Sequence, residues 1–122
     1  MNTTELMIGD WVYDTILQSN AKIQSINPPL TIRCDIHTEH HLYCEFNPIH
    51  LTPEMLVKNG WKETQYWHEY QDGKSAIQCC LPDMRGRING IEIEHFKCEY
   101  IHQYQHLLRL CGLNELADNF KV

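Results

Sequence analysis

At 122 residues the chain has the length of one ordinary domain or of two small subdomains, and its 43% hydrophobic content suffices for a folded core. The formal charge of −6 is spread without any Lys/Arg run: residues 1–60 hold three Lys/Arg against seven Asp/Glu, and residues 61–122 hold seven against nine. That balance opposes nucleic-acid binding by phosphate neutralisation, and no segment approaches the ~20 apolar residues that span a bilayer.

Met1-Asn2-Thr3-Thr4-Glu5 has neither the positive charge nor the apolar run of a signal peptide. The expected location is the cytoplasm, where the six cysteines stay reduced. Leu6 and Ile8 lead into Gly9-Asp10 and then Trp11-Val12-Tyr13, a short strand after a turn. Ala21 to Ile26 alternates as a second strand, and Asn27-Pro28-Pro29 breaks it. Ile32, Cys34 and Ile36 alternate with polar residues, as do Leu42, Cys44 and Phe46. A hairpin centred near Glu39 pairs Ile36 with Leu42, Cys34 with Cys44 and Ile32 with Phe46, gathering all six on one face.

Thr52-Pro53-Glu54 is a helix start, with a capping hydroxyl, proline at the first helical position and an acid in the first turn. The helix runs to Asn59, buries Met55 and Leu56, and stops at Gly60. An aromatic-rich strand follows from Trp61 to Tyr70. Asp72-Gly73 turns it into Ser75–Leu81, pairing Tyr70 with Ser75, His68 with Ile77 and Tyr66 with Cys79. Asn89-Gly90 marks a second hairpin between Arg87-Ile88 and Ile91-Glu92-Ile93. The strongest helix comes last: Tyr100, Ile101, Tyr104, Leu107, Leu108 and Cys111 recur at helical spacing, with Arg109 in the final turn and Gly112 just past the end. Asn114 is placed to cap one more turn. The expected fold is a single α+β domain. Residues 1–51 form a β-rich half, a small SH3-like barrel or meander; residues 52–122 carry the short helix, antiparallel hairpins and a packing helix.

Cys34-x2-His37-x2-His40-His41-x2-Cys44 resembles zinc-ligand spacing. The strand reading opposes that assignment, because Cys34 and Cys44 point one way and His37 and His41 the other; two core thiols are the expectation. Cys79-Cys80 lacks the Cys-x-x-Cys redox spacing, and its two side chains point to opposite faces. His102 and His106 share a helix face with Arg109; with His95 from the adjoining strand they are the alternative metal ligands, although the His-Glu-x-x-His pattern is missing. The expectation for that face is polar and partly exposed. Trp61, Trp67 and Tyr70 read either as an exposed aromatic surface or as a second layer beneath a helix, and the sequence leaves both open. No nucleophile elbow, phosphate-binding glycine loop or dinucleotide fingerprint occurs.

Ile8-Gly9-Asp10-Trp11-Val12, Pro48-Ile49-His50-Leu51-Thr52-Pro53-Glu54-Met55-Leu56 with Asn59-Gly60-Trp61, and Tyr100-Ile101-His102-Gln103-Tyr104-Gln105 together resemble a pattern shared by small uncharacterised proteins of gut anaerobes and their phages or mobile elements. Tyr104 stands where leucine is usual in that pattern. The resemblance implies a bacterial or phage cytoplasmic protein and no particular chemistry. The sequence thus reads as a non-enzymatic binding or accessory module without cofactor, using Trp67, Tyr70, His102, His106 and Arg109 toward a protein partner, with self-association open. A metal-binding protein and a nucleic-acid-binding small barrel are the rivals.

Overall fold

A computed structural model describes residues 6–27, 31–34, 41–42 and 46–122. The fold is α+β, with antiparallel strands in two separate five-stranded sheets and three helices among the described residues. The chain divides into two units, residues 1–49 with Val122, and residues 50–121; the sequence reading drew its subdomain boundary after residue 51.

The first unit holds β1 (Trp11–Asp14), β2 (Ser19–Asn27), β3 (Thr31–Cys34), β4 (His41–Leu42) and β5 (Phe46–Asn47), in the order β4-β3-β2-β1-β5. Two buried carboxylates set its turns. Asp10 accepts the Met7 N–H at 2.8 Å, while Gly9, at φ 93°, donates its N–H to the Ile23 carbonyl. Asp14 accepts the Ile16 and Leu17 N–H groups at 2.9 and 3.1 Å and so turns β1 into β2. Leu6, Val12, Ala21, Ile23 and Phe46 form the core between these turns, and the Lys22 ammonium lies 5.4 Å from the Trp11 ring.

The register expected for the Ile32–Phe46 hairpin is overturned. β3 and β4 pair Thr31 with Leu42 and Ile32 with His41, and Phe46 pairs with Asp14 of β1. Alternation specifies which face a residue takes but not which strand lies beside it, and the edge of β1 takes Phe46. The expected pairs Ile36–Leu42 and Cys34–Cys44 involve residues outside those described, as does most of the Cys34–Cys44 ligand cluster. No sheet is closed among the described residues, so a barrel is not shown.

The second unit opens with α1 (Pro53–Lys58), where the Thr52 hydroxyl accepts the Met55 N–H at 3.3 Å. Leu56 is buried; Met55, expected beside it in the core, is only half-buried. The expected Trp61–Tyr70 strand is instead a tight hairpin, β6 (Lys62–Glu63) and β7 (His68–Gln71). Thr64 closes it: its N–H and hydroxyl both donate to the Trp67 carbonyl, and its hydroxyl accepts the Trp67 N–H. β8 (Ala76–Cys80) follows a loop centred on Gly73-Lys74 rather than Asp72-Gly73, because the Asp72 carboxylate accepts the N–H groups of Lys74 and Ser75 and its own N–H reaches the Ser75 carbonyl. The register shifts by two residues, so that Tyr70 pairs with Ile77 and His68 with Cys79, while Tyr66 is left 71% exposed in the turn.

β9 (Asp83–Ile88) and β10 (Ile91–Lys97) meet at Asn89-Gly90, both at positive φ as a two-residue hairpin of this hand requires. β10 is one of the two edge strands, and its register slips between Ile93 and Phe96 around His95, which sits at φ 52°. Gly86 pairs with Ile77 at φ 130°, and a Cβ there would lie 2.2 Å from the Ala76 carbonyl oxygen. α2 (Ile101–Leu110) starts where the Gln103 side chain accepts the N–H groups of Glu99 and Tyr100, and ends at Gly112, φ 80°. Asn89 holds that end against the hairpin by donating to the Cys111 carbonyl at 2.8 Å. α3 (Asn114–Asp118) is tied back by buried Gln105, whose amide donates to the Ala117 carbonyl; its N-cap is Leu113, and Asn114, expected to cap it, is its first residue. No helix among the described residues is long and apolar enough to cross a membrane.

Candidate ligand-binding face

The pleat of the second sheet divides its side chains into two sets. One face carries Ile77 and Cys79 of β8 and Met84 and Ile88 of β9, all buried. The helix layer supplies Leu56, Ile101, Tyr104, Leu107 and Leu108, also buried. Trp61 is 3% exposed and donates its indole N–H to the Tyr104 hydroxyl at 3.0 Å. Tyr70 packs on Trp61 with ring centres 5.8 Å apart, and Phe120 meets Tyr104 edge-on at 5.6 Å.

Burial dominates the chemistry of this face. It pushes the Cys79 thiol up to about 12, helped by the nearby Cys80 and Asp83, and the Cys98 thiol up to about 12, helped by Cys79. Burial raises the Tyr104 hydroxyl strongly as well, against the opposing pull of the Trp61 hydrogen bond, and raises Tyr70, where the Asp72 charge adds to it. A thiol raised this far stays protonated at neutral pH.

The opposite face is polar and open. Glu69, Gln78 and Arg85 stand in one row across β7, β8 and β9. They line a cleft of about 560 Å³ with Gln71 of β7 and with Glu94 and His95 of β10. Gln78 and Arg85 also line a small adjoining recess with Trp67, Cys80 and Asp83. Trp67 is half-buried in that recess and donates its indole N–H to Glu69 at 2.6 Å, which ties it to the cleft lining. His95 Nδ1 lies 3.2 Å from the Asp83 carboxylate. Charges on this face alternate between neighbouring strands: Lys62 opposes Glu69, Arg87 opposes Glu92, and Lys97 opposes Asp83. Gly86 lies in the floor of the cleft, where the close approach of β9 to the Ala76 carbonyl requires a residue without a side chain.

The surface expected from sequence does not form as one patch. Trp67 and Tyr70 fall on opposite faces because they are three residues apart, an odd step on a pleated chain. Trp61 belongs to the core, which settles its aromatic reading in favour of a layer beneath a helix. His102, expected on a polar, partly exposed helix face, is 4% exposed. It stacks on Tyr100 at 5.8 Å and meets His106 edge-on at 5.7 Å, while Tyr100 in turn packs on His50 at 4.9 Å. Arg109 retains only 11% exposure and contacts Asp118 at 3.3 Å. α2 is buried on most of its circumference, so periodicity found its apolar stripe but not its second covered side. His95, the third alternative metal ligand, is beside Asp83, and no three His, Cys, Asp or Glu side chains among the described residues group in a way that could hold a metal ion.

Arg85, Gln78, Glu69 and Glu94 were not singled out in the sequence. The alternation Asp83-x-Arg85-x-Arg87 against Met84 and Ile88 was a usable signal for one polar face, but the partner strands had to be known before a cleft could be assembled. Comparison with protein-family models, with curated proteins and with solved structures returned no match.

Proposed function

We propose that the chain is a non-enzymatic binding module whose recognition surface is the uncovered face of the second sheet, centred on Arg85 with Trp67 in the adjoining recess. The observation that carries this reading is the cleft of about 560 Å³, a volume within the range typical of small-ligand sites. It is built on strands whose other face is anchored in the core, and its Glu69 carboxylate is held by the Trp67 N–H. The first unit is read as a small SH3-like scaffold, a reading supported by its strand order β4-β3-β2-β1-β5. A bacterial or phage origin and a cytoplasmic setting complete this reading, on the resemblance in the Ile8–Val12, Leu51–Trp61 and Tyr100–Gln105 segments.

The test is chemical-shift mapping of the isotope-labelled full chain against a library of small polar fragments. Perturbations gathered at Glu69, Gln78, Arg85 and Glu94, and weakened in Arg85→Ala, are the expected result. Perturbations confined to other surfaces, or none at all, would remove this face as the recognition surface.

A further inference from the structure

We infer that the ligand of the Arg85 cleft is a neutral, polyhydroxylated chain, a short uncharged oligosaccharide; this deepens the binding reading above and rests on it. Three features of the face select that chemistry. First, donors and acceptors are interleaved: the guanidinium of Arg85 and the amides of Gln71 and Gln78 donate, and the carboxylates of Glu69 and Glu94 accept. Sugar hydroxyls both donate and accept, so they can satisfy both kinds of group at once, whereas a phosphate or carboxylate ligand would leave the two glutamates facing like charge.

Second, opposite charges stand in cross-strand register over the face, Lys62 with Glu69, Arg87 with Glu92 and Lys97 with Asp83, so it carries no block of one sign. A ligand of either charge would meet like charge as well as opposite charge there. Third, the Trp67 indole stands half-buried in the recess adjoining the cleft, with its N–H engaged by Glu69 and the Tyr66 ring tilted against it at 6.1 Å. Its ring is therefore held in one orientation, and the C–H face of a pyranose is the neutral partner that packs against such a ring while its hydroxyls reach the polar row.

The experiment titrates the full chain with neutral gluco-, manno- and N-acetylglucosamine oligomers, and in parallel with uronic-acid and glucosamine oligomers. It follows the Trp67 indole N–H and the Arg85 backbone amide by NMR. The inference expects saturable shifts with at least one neutral series, little changed by added salt. It expects affinity to fall about tenfold or more in Trp67→Ala and in Gln78→Ala, each confirmed folded by its melting curve. Tighter, salt-sensitive binding of a charged series would overturn the ligand class. So would shifts of this face with polar fragments but with no neutral oligosaccharide, an outcome that leaves the binding module standing. Silence from both sugars and fragments would overturn the two together.

Discussion

Trp61 precedes β6 and Trp67 ends the turn that follows that strand, yet they meet opposite fates. Trp61 is sealed into the helix-covered face with its N–H on a tyrosine hydroxyl. Trp67 stays half-open on the uncovered face with its N–H on a carboxylate. Both satisfy the indole donor, as a partly or fully buried indole must. What separates them is the environment of the acceptor: a hydroxyl belonging to the core in one case, a charged group lining a cleft in the other. An aromatic cluster in sequence is thus two populations, sorted by the hairpin register.

The sheet that separates the two faces is most vulnerable where its strands approach most closely. Gly86→Ala forces a side chain into the Ala76 carbonyl at a positive φ, and we expect a loss of about 3–4 kcal/mol in urea denaturation followed by tryptophan fluorescence. An unchanged midpoint would mean that β9 does not approach β8 as described. Leu108→Ala attacks the covered face alone; Leu108 is fully buried, and a cost of about 3 kcal/mol is expected from lost burial and a residual cavity. Tyr104→Phe is gentler: it strands the Trp61 N–H in the core and should cost about 1–2 kcal/mol in the same assay.

The thiols of the covered face give a pH test. Cys79 and Cys98 are lifted from 9.0 to about 12, so the folded state holds their protons longer than the unfolded state does. Their stabilisation is complete below about pH 9 and is lost as pH rises toward 12. Denaturation near pH 10 should show a decrease of about 1 kcal/mol per thiol, absent in the Cys79→Ala/Cys98→Ala double variant relative to its own value near pH 8. The smallest expected effect sharpens the other side: Arg85→Ala, on the exposed face, should leave stability within about 0.5 kcal/mol of the parent. A larger loss would make Arg85 a structural residue.

The parts of the fold legible in sequence were those set by local chemistry. The Thr52-Pro53 start, the Asn89-Gly90 hairpin and the Gly112 stop all stand where their residues place them. The pairing of Phe46 with Asp14 was not legible, because alternation carries no information about which distant strand lies beside it. The Asp72 loop misled by two residues, since the carboxylate's own hydrogen bonds choose the turn. His102 was misplaced because helical periodicity reports one apolar stripe and is silent when polar rings pack among themselves. At the proposed site, Trp67 was found for its exposure, whereas Arg85 and Gln78 needed three strands in register before they became neighbours.

The bend in β10 has a consequence for how this molecule behaves in a crowded solution. A seven-residue edge strand is a template on which another chain can add. Here the ladder loses step at His95, whose left-handed backbone breaks the run of evenly spaced donors and acceptors, and Glu92, Glu94 and Lys97 place charges along the same strand. An approaching strand therefore finds too short a straight segment to zip onto. The irregularity that interrupts the ladder thus works against strand addition at this edge.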